Sequence, residues 1–147
     1  MSVSAEDFLY VSRALMNKDG ETWRRVAASR AYYASYHRSR LWERQLPTRG
    51  NGQGSFGVHE SLIARLLNPD EACRSELASR SRRIGEHLAL QRALRVKADY
   101  KIDHAVTTRM LERQLELAEL VFADCAAPCG LARASSRWCR PARIARR

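Results

Sequence analysis

The chain has 147 residues, 45% of them apolar, enough for one domain that buries a core without disulfide or metal staples. Its net charge of +10 is unevenly placed: segment 128–147 holds six Arg and no acid, so residues 1–127 carry 20 basic against 16 acidic groups, a mild excess. No stretch has the uninterrupted apolar length of a bilayer span, and Met1 to Asp7 carries acids where a secretory leader carries Lys or Arg, so a cytoplasmic address without membrane contact is expected.

No sustained period-two alternation marks a strand, whereas helical periodicity recurs throughout. Ser4 can cap a first helix to about Asn17, with Asp7 in the place of the capping-box acid; its core face would use Phe8, Val11, Ser12 and Leu15. After the break at Asn17–Gly20, a long second helix is predicted from about Glu21 to Gln45. Trp23, Val26, Ala27, Arg30, Ala34, His37 and Leu41 share one side of it. Pro47 to Gly57, with four glycines, reads as a flexible loop. A short third helix covers Val58 to Asn68, and a fourth runs from about Ser75 to Val96 over Leu77, Ile84 and Leu88. Asp103 is the predicted N-cap of a fifth helix, which ends near Ala127. That helix carries two apolar rows, Val106, Met110, Leu117, Val121 and Leu111, Leu115, Ala118, Phe122, and should be well buried. Pro128-Cys129-Gly130 stops it, and the Ser/Ala/Arg/Pro segment beyond has no periodicity and is expected to be disordered. The expected fold is therefore all-α: a single up-and-down-like bundle of about five helices in a 1–127 domain, with a disordered Arg-rich tail over 128–147.

Cys73, Cys125, Cys129 and Cys139 have no histidine nearby to complete a zinc set, so no metal and no cofactor are expected. The strongest local signal is Ser29-Arg30-Ala31-Tyr32-Tyr33-Ala34-Ser35-Tyr36-His37. Arg30 and His37 stand seven residues apart, two helical turns, on a face that is otherwise apolar. Such a pair is costly to bury alone. It belongs either to a buried network, with Asp99 the obvious carboxylate for Arg30, or to a polar cleft. Trp23, Trp42 and Tyr36 read as core aromatics. The Gly52–Gly57 match to a dinucleotide loop has no strand before it.

The order Arg30-x-Tyr32-Tyr33-Ala34-x-x-His37, then His59 in the third helix, then Arg95-x-x-Ala98-Asp99-Tyr100, resembles proteins of the HEPN family over roughly residues 5–125. The resemblance implies a helical bundle that forms a homodimer. It also implies a metal-independent endoribonuclease of the kind used as a toxin or phage-defence effector and paired with a nucleotidyltransferase-type antitoxin. RNA would be substrate or ligand. The family's Arg-x(4–6)-His signature falls on Arg30 and His37, the candidate catalytic pair; Tyr33, His59, Arg95, Asp99 and Tyr100 are candidate binding or supporting residues. Arg82-x4-His87 fits the same spacing in an Arg-rich helix, and Ser39 stands where nucleotidyltransferase-paired members carry a Tyr. For His59, a structural role in the third helix is expected, and for Arg95 and Asp99 an ion pair pinning the turn before the fifth helix. The alternative reading is a non-catalytic helical module that binds RNA, a nucleotide or a partner.

Overall fold

The computed structural model describes residues 2–128, which form five helices: α1 Ala5–Leu15, α2 Glu21–Glu43, α3 Gly57–Leu67, α4 Ser75–Tyr100 and α5 Thr108–Ala126. The expected disordered tail lies outside the described residues, apart from Pro128. Among the described residues there is no strand, and no helix is long and apolar enough to cross a membrane.

Local sequence explains the starts of α1, α2 and α5. Ser4 Oγ accepts from the Asp7 N–H while Asp7 accepts from the Ser4 N–H, a reciprocal box that satisfies two orphan donors of α1. The cap of α5 is Thr107, whose hydroxyl accepts from the Met110 N–H, and not Asp103. The reason lies in α4, which runs past Val96 to Tyr100 and leaves residues 101–107 as the connection. Gly20, at φ +111°, holds the turn into α2 in a conformation that side chains other than glycine disfavour.

The helices α1, α2, α4 and α5 alternate in direction. Ser12 reaches Ala27 while Phe8 reaches His37, so α1 and α2 are antiparallel. Gln91 meets Gln114 while Arg83 meets Asp124, so α4 and α5 are too. The helix α3 runs parallel to α2, pairing Tyr32 with His59 and Glu43 with Arg65, and segment 44–56 carries the chain back between them. That segment is anchored on α3: the Asn51 N–H donates to the Asn68 carbonyl at 2.9 Å, and Gly50 lies so close that a Cβ would stand 2.0 Å from the Arg65 carbonyl oxygen.

Two apolar clusters result. One, around Ala27, Ala28, Ala31, Ala34, Leu9, Leu111 and Leu115, joins α1, the first half of α2 and α5 across a seam of small residues that permits close approach. The other packs Tyr32, Tyr36, Trp42, Leu62, Leu66, Ile84 and Leu88 between α2, α3 and α4. Four apolar residues expected inside are exposed: Val11, Trp23, Val26 and Leu41. For the three on α2 the cause is its position: α1, α4 and α5 contact it along its Ala/Ser-rich sides, so the Trp23–Leu41 line falls at the edge of the packed surface. Trp42 and Tyr36 are buried, and Trp23 instead lies under the Lys18 ammonium at 5.2 Å. Within α5, Leu111, Leu115, Leu117, Ala118 and Val121 are buried, while Val106 is buried from the loop before it.

Candidate functional site

The Tyr33 ring is the hub of an aromatic and cationic cluster. Its centroid lies 5.1 Å from the Arg30 Cζ and 5.2 Å from the Arg95 Cζ. The His59 ring is 5.8 Å away and the His37 ring 6.4 Å. The helices explain the convergence. Positions 30, 33 and 37 repeat at three- and four-residue intervals along one side of α2. The parallel course of α3 sets His59 beside Tyr32 and Tyr36, and the antiparallel α4 brings Arg95 over the tyrosine pair.

Arg95 is the most heavily engaged. Its Nη2 donates to the Tyr33 hydroxyl at 2.7 Å and to the Tyr100 hydroxyl at 3.3 Å. Its Nε stands 2.8 Å from Asp99 Oδ2, a charge contact in which the N–H does not point along the line of a hydrogen bond. Burial opposes the guanidinium charge, but Tyr33, Tyr100 and Asp99 outweigh it and raise the Arg95 pKa. The other partner of Asp99 is the Ser29 hydroxyl, at 3.0 Å. The ion pair therefore forms as expected, on the last turn of α4 itself and not in a turn beyond a shorter helix.

Arg30 is different. Among the described residues it has no ion pair and no hydrogen bond; its guanidinium rests on the rings of Tyr33 and Phe8, 5.7 Å from the latter centroid. Asp99, the carboxylate that a buried network would require, is held by Arg95 and Ser29. The Phe8 ring also stacks on His37, centroids 5.5 Å apart, so one aromatic side chain from α1 supports both members of the pair.

His37 opens onto a cleft of about 280 Å³ between the start of α1 and the second half of α2, lined also by Phe8, Arg40, Leu41 and Arg44. Across Arg40 lies a second cleft of about 480 Å³, bounded by Tyr36, Ser61 and Arg65. Partial burial lowers the His37 pKa and the neighbouring Arg40 charge lowers it further, which favours the neutral imidazole near pH 7. His59 is lowered for the same first reason, then by Arg95, Arg92 and His37. Its Nδ1 lies 2.9 Å from the buried Tyr32 hydroxyl. The outer edge is closed by the Arg92–Glu60 pair at 2.8 Å.

Arg30, Tyr33, His37, His59, Arg95, Asp99 and Tyr100 thus form one connected group. Arg82 and His87 stand apart: among the described residues no hydrogen bond, ion pair or ring contact ties either to it. Tyr32, part of the motif, joins the connected group, and Phe8, Tyr36, Arg40 and Arg92 belong to it without the sequence having marked them for it. The signal for Phe8 was its place on the face of the first helix, which periodicity assigned to the core. Also unforeseen is Arg25, which supports the site from behind. Its guanidinium donates to the carbonyls of Lys97, Ala98, Lys101, Ile102 and His104 and pairs with Glu21 at 2.7 Å. Glu21 in turn accepts from the Val106 N–H at 3.0 Å, so the first turn of α2 grips the end of α4 that carries Asp99 and Tyr100.

Among the described residues no group of three or more His, Cys, Asp or Glu is placed to hold a metal ion. Burial pushes the Cys125 thiol up to about 12, which makes it a packing residue and not a nucleophile. In comparisons with known proteins, no family model, no curated protein and no solved structure matches this chain.

Proposed function

We propose that the chain is a HEPN-type endoribonuclease that works without a metal ion and as a homodimer, in the manner of a toxin or phage-defence effector restrained by a nucleotidyltransferase-type antitoxin. The observation that supports this reading best is Arg30. A cation with no carboxylate partner among the described residues, laid on two aromatic rings beside a histidine that favours its neutral form, is arranged to receive an anion.

RNA brings its own nucleophile. The 2′ oxygen attacks the adjacent phosphorus, the bond from phosphorus to the 5′ oxygen breaks, and a 2′,3′-cyclic phosphate forms. Neutral His37 accepts the 2′-OH proton, and the His37 imidazolium of the second copy gives a proton to the departing 5′ oxygen. Arg30 holds the phosphate and stabilises the charge that builds on it. The aromatic ring of Tyr100, 68% exposed, suits the stacking of an unpaired base. That last feature would equally serve a module that binds RNA without cutting it, and one assay separates the two. Purified protein incubated with single-stranded RNA in EDTA should yield 2′,3′-cyclic phosphate ends and leave DNA, which lacks the 2′-OH, intact. RNA that is bound but never cut would replace the enzyme with the binding module.

A further inference from the structure

The pairing of Tyr32 with His59 decides what His59 can do. Tyr32 is fully buried, and within the described residues the only partner of its hydroxyl is His59 Nδ1, at 2.9 Å. A buried O–H needs an acceptor, since water cannot reach it. Were Nδ1 to carry the proton, it would donate to the phenol oxygen and leave the Tyr32 proton facing nothing. The favoured arrangement has Tyr32 donating to Nδ1, which places the imidazole proton on Nε2. Nε2 meets no acceptor among the described residues, and it is not among the sealed polar atoms, so it reaches solvent at the edge of the cluster.

The surroundings hold His59 in that form. Tyr32, Tyr33, Tyr36 and His37 face it from α2, and Arg92 and Arg95 from α4; Glu60, the next residue on its own helix, is taken by Arg92. Protonation would have to turn the Tyr32 hydroxyl from donor to acceptor and add a cation beside two others. The Tyr36 ring lies 4.4 Å from His59 and 5.3 Å from His37, so the two imidazoles flank a single phenol.

We infer that His59, fixed by Tyr32 as its Nε2–H tautomer, is a neutral hydrogen-bond donor to the phosphate of a ligand bound beside Arg30 and His37. The two histidines then divide the work: His37 moves a proton, and His59 binds phosphate without changing charge. This rests on the reading of the cluster as a phosphodiester site, but not on cleavage.

The test uses the full chain in two arms. In the first, long-range 1H–15N spectra of the imidazoles should show His59 as the Nε2–H tautomer, titrating below the ordinary histidine range. Inorganic phosphate, and separately a 2′-deoxy dinucleotide that cannot be cut, should each shift the His59 Nε2–H signal. Tyr32→Phe should release the tautomer and populate the Nδ1–H form, while burial and the two arginines still hold the titration of His59 below the ordinary range. In the second arm, His59→Gln, whose amide N–H partly replaces the Nε2 donor, should cleave single-stranded RNA measurably faster than His59→Ala. His59→Ala should lose about 100-fold, the usual scale for one lost donor to a developing oxyanion. An Nδ1–H tautomer, a His59 signal unmoved by phosphate, or a glutamine variant as inactive as the alanine variant would each overturn the inference. A wild type that responds to phosphate as expected but never cuts RNA would uphold it and overturn the nuclease reading alone.

Discussion

Replacing Arg25 by Ala should cost this fold a large part of its stability. The guanidinium is only 14% exposed, and its firmest contacts are Ala98 O at 2.9 Å and Glu21 Oε1 at 2.7 Å, with His104 O also in close reach. Hydrogen bonds to a charged group contribute about 1.5–3 kcal/mol each, and they are not additive when one side chain makes them all. Water can reach the exposed carbonyls of residues 101–104 once Arg25 is gone, which offsets part of the loss. The buried Ala98 carbonyl and the dipole of α4, which ends at this cation, have no such substitute. A net loss of about 3 kcal/mol follows, or about 10 °C in Tm for a domain of this size. Thermal melts followed by circular dichroism would measure it, with Arg25→Lys recovering less than half because one ammonium cannot span the same carbonyls. The surface pair Arg13–Glu119, more than half exposed on both sides, is the control and should change stability by less than about 1 kcal/mol when removed. An Arg25→Ala variant that melts within about 2 °C of wild type would refute the clamp.

Three further outcomes follow from the same geometry. Gly50→Ala would set a Cβ 2.0 Å from the Arg65 carbonyl oxygen, so segment 44–56 must lift from α3 at a cost of about 2 kcal/mol; an unchanged urea midpoint would show that the segment is not seated there. His37 and His59 have folded pKa values below the ordinary histidine value of 6.5, so the unfolded chain binds the extra protons: stability from these groups is complete above pH 6.5 and declines as pH falls below it. Urea midpoints that stay level from pH 7 to about pH 5.5 would contradict that sign. Sedimentation at micromolar concentration should give a homodimer, because the proposed reaction draws its acid from a second copy; a monomer there would remove the composite groove.

Much of the fold was legible because helix signals are local. The Ser4/Asp7 box and the Pro and Gly breaks act within a few residues, and the periodicity of α5 survives in nearly every buried position. What escaped depends on partners distant in sequence. Asp103 has the chemistry of a cap, but the grip of Arg25 on residues 97–104 lets α4 continue to Tyr100 and moves the cap to Thr107. Trp23, Val26 and Leu41 satisfy helical spacing, yet spacing does not say which sides of a central helix its neighbours will cover. The site shows the same division. Spacing could put Arg30 and His37 on one face and pair Arg95 with Asp99 within one helix, whereas the Ser29 hydroxyl reaches that carboxylate only through the α2–α4 packing.

The central claim is that Arg30 and His37 act together on RNA, and His37→Ala tests it most directly. Cleavage of single-stranded RNA in EDTA by this variant should fall by about two to four orders of magnitude, with melting and oligomeric state unchanged. Arg30→Ala should fall comparably, while Arg82→Ala and His87→Ala should stay near wild type. Cleavage that persists in His37→Ala would contradict the assignment of the site, and a wild type that leaves RNA intact, even after any antitoxin is removed, would contradict the enzyme.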